Sequence, residues 1–223
     1  MYGFFLRAYV TSVDALADRG AFERAYASLP AFRRKRVDGL SNESVRRQSA
    51  AAFALLVHGL RDIGLDVDLA STWDELGYVS DERGKPRFEG RPDLFFSLSH
   101  AKDMAACVMS GAECGCDLER MDRMKDMDAM RSVASMVCTQ REMDAIFDSE
   151  HVTRAFFETW TRKEAYVKFT GNGLAGMADE PFDVERVDAC FHTLDIDDHV
   201  FSICLPSGHE AAFENLMPET VRF

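Results

Sequence analysis

Two short segments constrain this chain most. They are Gly115-Cys116-Asp117-Leu118-Glu119 and Trp160-Thr161-Arg162-Lys163-Glu164-Ala165-Tyr166-Val167-Lys168. Asp117 and Glu119 are two residues apart, so they share one face if the first segment is a strand. Glu164 and Lys168 are four residues apart, so they share one face if the second segment is a helix. A fold that packs this strand near this helix would bring three carboxylates and a lysine together.

Two carboxylates on a strand and one on a helix suit a hard cation such as Mg²⁺, which keeps several waters and also takes phosphate oxygens. The spacing therefore predicts a metal site made of Asp117, Glu119 and Glu164 beside a polyphosphate. Plainer interpretations remain open. The strand acids can form a solvated edge, and Glu164 with Lys168 can be a surface ion pair worth a few tenths of a kcal/mol.

The pattern of helices and strands predicts an α+β fold with mainly antiparallel strands. Helices are expected over 13–28, 42–63, 126–136, 139–147 and 153–169, and strands over 4–10, 94–100, 105–110 and 114–118, with a strand pair over 191–205. Strands 105–110 and 114–118 are expected to form an antiparallel hairpin joined at Gly111. A boundary there divides the chain into an N-terminal half, 1–110, and a C-terminal half, 111–223, which carries the carboxylates.

Composition excludes several classes of protein. The chain has 26 basic and 38 acidic residues, a net charge of −12, which argues against a nucleic-acid partner. There is no apolar run of the roughly 20 residues that a membrane helix needs, and the first ten residues do not resemble a signal peptide. We therefore expect a cytoplasmic protein without a membrane partner. The six cysteines are expected to be reduced and buried.

Further motifs precede and follow the acidic segments. Gly84-Lys85-Pro86 and Phe96-Ser97-Leu98-Ser99-His100 come before them, and Gly171-Asn172-Gly173-Leu174 comes after. In this order and spacing, over about residues 30–175, the motifs resemble those of the 4′-phosphopantetheinyl transferases of the surfactin-synthetase (Sfp) type. The family pattern is G-K-P, S-x-S-H or N-x-S-H, G-x-D-x-E and W-x-x-K-E-A/S-x-x-K followed by G-x-G-L. Lys102 departs from the family, which usually has glycine at that position.

The resemblance implies a fold, a reaction and partners. The fold would be a pseudodimer of two similar α/β halves, monomeric, with coenzyme A bound in the cleft between the halves. With Mg²⁺, the enzyme would transfer the phosphopantetheine arm to a serine of an acyl or peptidyl carrier protein. The other product would be adenosine 3′,5′-bisphosphate.

The resemblance also assigns roles to residues. Asp117, Glu119 and Glu164 match the metal carboxylates. Groups matching the coenzyme A contacts are Lys163 and Lys168 at the pyrophosphate, Ser99 and His100 at the phosphates, Gly84, Lys85 and Pro86 beside the adenine, and Lys35 and Arg47 near the 3′-phosphate. The last two belong to a basic island of Arg33, Arg34, Lys35, Arg36, Arg46 and Arg47, which is a candidate anion site or a solvated helix face.

The chemistry of the transfer agrees with these residue types. A serine hydroxyl must attack a pyrophosphate phosphorus, so neutralisation of charge and positioning should dominate catalysis. Glu164 is expected to act as a third ligand or as the base for the serine proton, and Lys168 is placed to stabilise the leaving oxygen. Asp117 completes the candidate catalytic set. Two other classes remain open: a coenzyme A- or carrier-binding module that has lost turnover, and another Mg-dependent phosphoryl or nucleotidyl enzyme.

Overall fold

The computed structural model describes residues 4–173 and 181–223, and these form a mixed α+β fold. The helices are α1 (Arg19–Ser28), α2 (Ala31–Asp38), α3 (Glu43–Asp62), α4 (Ala70–Leu76), α5 (Met127–Val137), α6 (Gln140–Phe147) and α7 (Val152–Thr170). The strands are β1 (Leu6–Ser12), β2 (Tyr78–Ser80), β3 (Pro86–Phe88), β4 (Phe95–His100), β5 (Met104–Ser110), β6 (Gly115–Arg120), β7 (Ala189–Ile196), β8 (His199–Pro206) and β9 (Glu219–Thr220).

Local signals in the sequence explain the two long helices. Helix α3 begins after Asn42, whose side chain accepts a hydrogen bond from the Val45 amide, and Gly64 follows its end with φ of +88°. Helix α7 ends at Gly171, which adopts the left-handed conformation with φ of +70° that glycine tolerates. These bounds confirm the predicted helices within one residue at each end.

The two halves of the fold are similar, since each packs a long helix on an antiparallel sheet. In the first half, α3 packs on the sheet β4-β5-β1-β9, in which only the short β1–β9 pairing is parallel. In the second half, α7 packs on the sheet β6-β8-β7. Strands β2 and β3 form a separate two-stranded ribbon. This arrangement confirms the α+β prediction and the expectation of two similar α/β halves.

A shared apolar layer separates the two main sheets. Its buried residues include Ala8 and Val10 from β1, Cys116 and Leu118 from β6, and Phe201 from β8. Because side chains alternate along a strand, the even-numbered residues of β6 enter this layer and the odd-numbered residues point to the opposite face, toward α7. The strand alternation therefore places Asp117 and Glu119 on the side of β6 that α7 covers.

One strand pairing differs from the prediction. Strands β5 and β6 do not form a hairpin: β5 pairs with β1 and β4, whereas β6 pairs with β8. Two side chains of β4 join the edges of the sheets instead. The Cys116 amide donates to Ser97 Oγ at 3.0 Å, and the Leu118 amide donates to Ser99 Oγ at 3.3 Å. Serine hydroxyls thus replace main-chain pairing where the two sheets meet, and we call this junction of β4 and β6 the seam.

Other predictions have mixed outcomes. All six cysteines are unpaired and buried, as expected. No helix in the part of the chain that the structure describes is long and apolar enough to cross a membrane. The division into 1–110 and 111–223 stays a prediction, and β9, from the second of these stretches, pairs with β1 of the first. Leu174, the last residue of the G-x-G-L motif, lies outside the described residues.

Candidate active site

The seam holds a compact hydrogen-bonded group of three polar side chains. Asp117 Oδ1 accepts hydrogen bonds from Ser99 Oγ and from Lys168 Nζ, both at 2.8 Å, and Lys168 Nζ also donates to Ser99 Oγ at 3.0 Å. The Asp117 side chain is 7% exposed, so this ion pair is largely shielded from water. Three elements (β4, β6 and α7) therefore meet at a single carboxylate.

The close approach of β6 to α7 depends on Gly115. A Cβ atom at this position would lie 2.0 Å from the carbonyl oxygen of Ala165 and 2.5 Å from the amide nitrogen of Phe169, both backbone atoms of α7. No other residue fits without displacing the helix. The glycine that precedes Asp117 in the first motif thus sets the distance between the strand and the helix.

Glu164 and Glu119 complete an acidic cluster with Asp117. Burial, followed by repulsion from Asp117 and Glu119, raises the pKa of Glu164 to about 7. Burial also raises the pKa of Glu119, although an ion pair with Arg123 opposes this change. The interpretations of the strand acids as a solvated edge, and of Glu164 with Lys168 as a surface pair, are wrong, because Asp117 and Glu164 are buried and Lys168 pairs with Asp117.

The donor set fits a divalent cation but is not arranged as a closed cage. Within residues 4–173 and 181–223, no three His, Cys, Asp or Glu side chains converge tightly enough to enclose a metal ion. One reason is that Lys168 and Arg123 hold Asp117 and Glu119. Asp117 Oδ2, however, is buried and has no hydrogen-bond partner among these residues. An unpartnered carboxylate oxygen beside two mutually repelling acids is chemically suited to Mg²⁺.

A cleft of about 380 Å³ adjoins the cluster. Three segments of the chain line the cleft. They are the turn and strand after β2 (Arg83, Gly84, Lys85 and Pro86), strand β4 (Phe96, Ser97 and Leu98), and α7 with the residues that follow it (Glu164, Val167, Lys168, Gly171 and Gly173). Glu164, a member of the acidic cluster, and Lys168, which pairs with Asp117, both line the cleft. The arrangement can place an anionic ligand from the cleft against the carboxylates.

Comparisons with known proteins agree with this geometry. Residues 113–215 match the model of the 4′-phosphopantetheinyl transferase superfamily. This region, a little under half of the chain, is similar to that superfamily. The matched region contains Asp117, Glu119, Glu164 and Lys168, so the seam acids and α7 are the part of the chain that carries the family match.

Individual relatives cover different shares of the chain. The 4′-phosphopantetheinyl transferase AcpT of Escherichia coli O157:H7 is 31% identical over 50% of this chain and 54% of its own length. AcpT of Salmonella typhi is 40% identical over 42% of this chain and 48% of its own length. The matched region thus spans about half the length of these relatives. A 4′-phosphopantetheinyl transferase of Bacillus subtilis is 25% identical over 93% of this chain and 85% of its own length.

Several family motif residues have structural partners already. Lys163 is fully buried, and its ammonium pairs with Glu142 Oε2 at 3.0 Å, donates to the Phe182 carbonyl and lies over the Phe182 ring. The structure therefore does not bring Lys163 to the cleft. Lys85 lines the cleft, but its ammonium donates to Glu113 Oε1 at 2.6 Å and to the Phe169 carbonyl at 2.5 Å.

His100 lies at the exposed end of β4. Desolvation by surrounding protein atoms lowers the pKa of its imidazole, and the positive charge of Lys168 lowers it further. His100 is therefore neutral at pH 7 and retains one N–H to donate. The alternation of side chains along β4 directs its ring to the face opposite Ser99, and His100 is not among the residues that line the cleft.

The basic island divides into several environments. Lys35 is exposed on α2, and Arg47 pairs with Glu43 at 3.1 Å beside a separate cavity that Arg46 and Phe22 also line. Neither residue lines the cleft. Arg33, which no motif marks, is the member whose charge reaches His100. Its guanidinium donates to Ser49 Oγ at 3.0 Å and stacks on Phe53, so aromatic packing rather than a charge pattern sets its position.

Proposed function

We propose that this protein transfers the 4′-phosphopantetheine arm of coenzyme A to a serine of an acyl or peptidyl carrier protein and releases adenosine 3′,5′-bisphosphate. The observation that carries the proposal is the meeting of Asp117, Glu119 and Glu164 at the seam, with Lys168 between them and the cleft. The names of the relatives support the same activity for this chain.

The cleft is the proposed coenzyme A site. Its walls come from both halves: the residues from Arg83 to Pro86 and strand β4 belong to the first, and α7 belongs to the second. A pseudodimer with its substrate between the halves is consistent with this lining. Lys168 lines the cleft and is the cation best placed for the pyrophosphate. The role of His100 as a neutral donor to a phosphate oxygen rests on the resemblance alone. Ser99 acts indirectly, because its hydroxyl is occupied by Asp117, Lys168 and the Leu118 amide.

Asp117, Glu119 and Glu164 would hold Mg²⁺. When bound there, the ion supplies positive charge to pyrophosphate oxygens and improves the leaving group. Lys168 then stabilises the departing phosphate oxygen from the side of α7. Glu164 has a pKa of about 7, which suits it to accept the serine proton at neutral pH. The same carboxylate in its deprotonated form is an oxygen ligand, so both expected uses of Glu164 are compatible with its position.

A mass measurement tests the proposed activity. The full chain is mixed with an apo carrier protein, coenzyme A and Mg²⁺, and the carrier is examined by intact mass spectrometry. The proposal predicts the added mass of one phosphopantetheine group per carrier and the formation of adenosine 3′,5′-bisphosphate. A chain that binds coenzyme A tightly but modifies none of several carriers would instead be a binding module without turnover.

A further inference from the structure

The five-residue turn between β2 and β3 makes most of its polar contacts with itself. The Asp81 carboxylate accepts the amides of Arg83 at 2.9 Å and Lys85 at 2.8 Å, and the Asp81 amide donates to the Lys85 carbonyl at 2.9 Å. Gly84 supplies the positive φ of +88° that the turn requires. The turn is therefore a preformed unit, and its place on the molecule is set by the few contacts that leave it.

Two side chains of the turn reach across to the second half of the chain. Lys85 Nζ donates to Glu113 Oε1 and to the Phe169 carbonyl, and Arg83 Nη1 donates to Asn172 Oδ1 at 2.7 Å. Phe169 lies in the last turn of α7, where carbonyl groups lack intrahelical partners and a cation is favoured by the helix dipole. The ammonium of Lys85 therefore donates hydrogen bonds both to a carbonyl group at the C-terminal end of α7 and to the Glu113 carboxylate.

The stem of Lys85 also packs on the residue that ends α7. A Cβ atom on Gly171 would lie 3.2 Å from Lys85 Cδ, so the Lys85 side chain lies close against the backbone of Gly171. The Lys85 side chain is 19% exposed and that of Glu113 is 40% exposed. We call the contacts of Lys85 with Glu113, Phe169 and Gly171 the clasp. The clasp joins two segments that both line the cleft, since Gly84 and Lys85 come from the turn and Gly171 comes from the end of α7.

We propose that Lys85 is a positioning residue of the cleft: through the clasp with Glu113 and the end of α7, it fixes the turn from Asp81 to Lys85 and sets the width of the coenzyme A site. The proposal rests on the proposed function for the identity of the ligand. It assigns a role to Glu113, which belongs to none of the motifs. A turn that is no longer held against α7 must be fixed in place again when the ligand binds, and the cost of that ordering lowers affinity.

Two variants separate a clasp from a direct ligand contact. Glu113→Gln removes the charge that holds Lys85, and Lys85→Met keeps the stem on Gly171 but removes the ammonium. If Lys85 acts through the clasp, each change weakens coenzyme A binding in the absence of a carrier by about tenfold, as expected for loss of a charged hydrogen bond. The double variant then resembles either single variant, because both changes break the same contact.

A second measurement does not depend on coenzyme A. Hydrogen exchange of the amides between Asp81 and Pro86 should be faster in Glu113→Gln and in Lys85→Met than in the wild type. Glu89→Gln is the matched control, because it removes the exposed pair with Arg87 on the neighbouring strand and leaves the clasp intact. It should change neither the exchange of the turn nor the affinity.

Three outcomes would overturn the clasp. Unchanged exchange of the turn in both variants would do so, whether or not the protein binds coenzyme A. Weaker binding in Lys85→Met with equal or tighter binding in Glu113→Gln would show that Lys85 contacts the ligand directly. Additive losses in the double variant would show that the two residues act separately. Absence of coenzyme A binding by the wild type would count against the proposed function, and the exchange result alone would then decide the clasp.

Discussion

Glu164 is the residue whose chemistry depends most on its surroundings. Its ordinary pKa of 4.5 is raised to about 7 by burial and by its acidic neighbours. In the folded state Glu164 keeps a proton that the unfolded chain releases, so its contribution to stability is lost as pH rises from about 4.5 to about 7. The spacing of the motif identified Glu164 as a site residue. The size of its pKa shift depends on how deeply the folded protein buries it, which the spacing does not determine.

The first prediction concerns Glu164→Gln in buffer with a metal chelator. The amide cannot ionise, so the variant should match the wild type near pH 4.5 and become more stable near pH 8, by up to about 3 kcal/mol for a shift of this size. Urea denaturation at the two pH values measures the difference. A stability difference that does not grow with pH would contradict the raised pKa.

The second prediction concerns Lys163, which the family motif assigns to the pyrophosphate. Lys163→Met removes a fully buried ammonium and leaves Glu142 without its cation, so the free energy of unfolding should fall by about 3 kcal/mol. Coenzyme A affinity, measured by calorimetry at a temperature where the variant is folded, should be unchanged. Lys125→Met, at an exposed site, is the control for loss of charge.

A tenfold or greater loss of coenzyme A affinity in Lys163→Met, with wild-type stability, would contradict this prediction. It would support the assignment of Lys163 to the pyrophosphate. Lys163 and Lys168 belong to one motif on one helix, yet one is buried against Glu142 and the other lies at the seam. The motif fixes the residue types, whereas the direction of each side chain depends on how α7 rotates against its neighbours.

At the scale of elements, the long helices α3 and α7 were predicted more accurately than the pairing of the strands, whereas α2 and α4 were not predicted. The ends of α3 and α7 carry their own signals in Asn42 and Gly171, and these signals act within a few residues. The hairpin expected around Gly111 has no such local determinant. Cys116 and Leu118 give β6 an apolar face, and β1 and β5 also present apolar side chains on one face of their sheet. These two faces pack against each other across the apolar layer, so β6 lies in the other sheet and pairs with β8.

The third prediction is that Gly115→Ala disrupts the packing of β6 on α7. The added methyl group would overlap backbone atoms of Ala165 and Phe169, which cannot rotate away, so stability should fall by about 2 kcal/mol or more. Gly39→Ala is the control, because a Cβ there meets nothing closer than 3.5 Å. Thermal denaturation of the two variants gives the comparison, and an equal effect of both changes would contradict the close approach.

At the scale of the whole molecule, the two halves depend on each other. The inner face of the first sheet is covered by β6 and β8, and the seam joins β4 to β6 through serine hydroxyls. The α+β class and two similar halves followed from the sequence and the resemblance. The layer between the sheets did not, because it is made by strands far apart in the chain, and local patterns carry no information about such partners.

The fourth prediction follows from this shared layer. A fragment of residues 1–110 exposes apolar side chains of β1 and β5, among them Leu6, Val10 and Val108, that the second sheet buries in the full chain. The fragment should therefore lack a cooperative unfolding transition and bind a hydrophobic dye. Near-ultraviolet circular dichroism of the fragment and the full chain tests this. A cooperatively folding fragment would show that the N-terminal half is independent.

The central claim is that one divalent ion is shared by carboxylates from β6 and α7 when coenzyme A is bound. Electron paramagnetic resonance titration of Mn²⁺ into the protein with coenzyme A measures this most directly. We predict one bound ion per chain in the wild type and at least about tenfold weaker binding in Asp117→Asn and in Glu164→Gln, since each loses a charged ligand. Wild-type Mn²⁺ affinity in both variants would contradict the account.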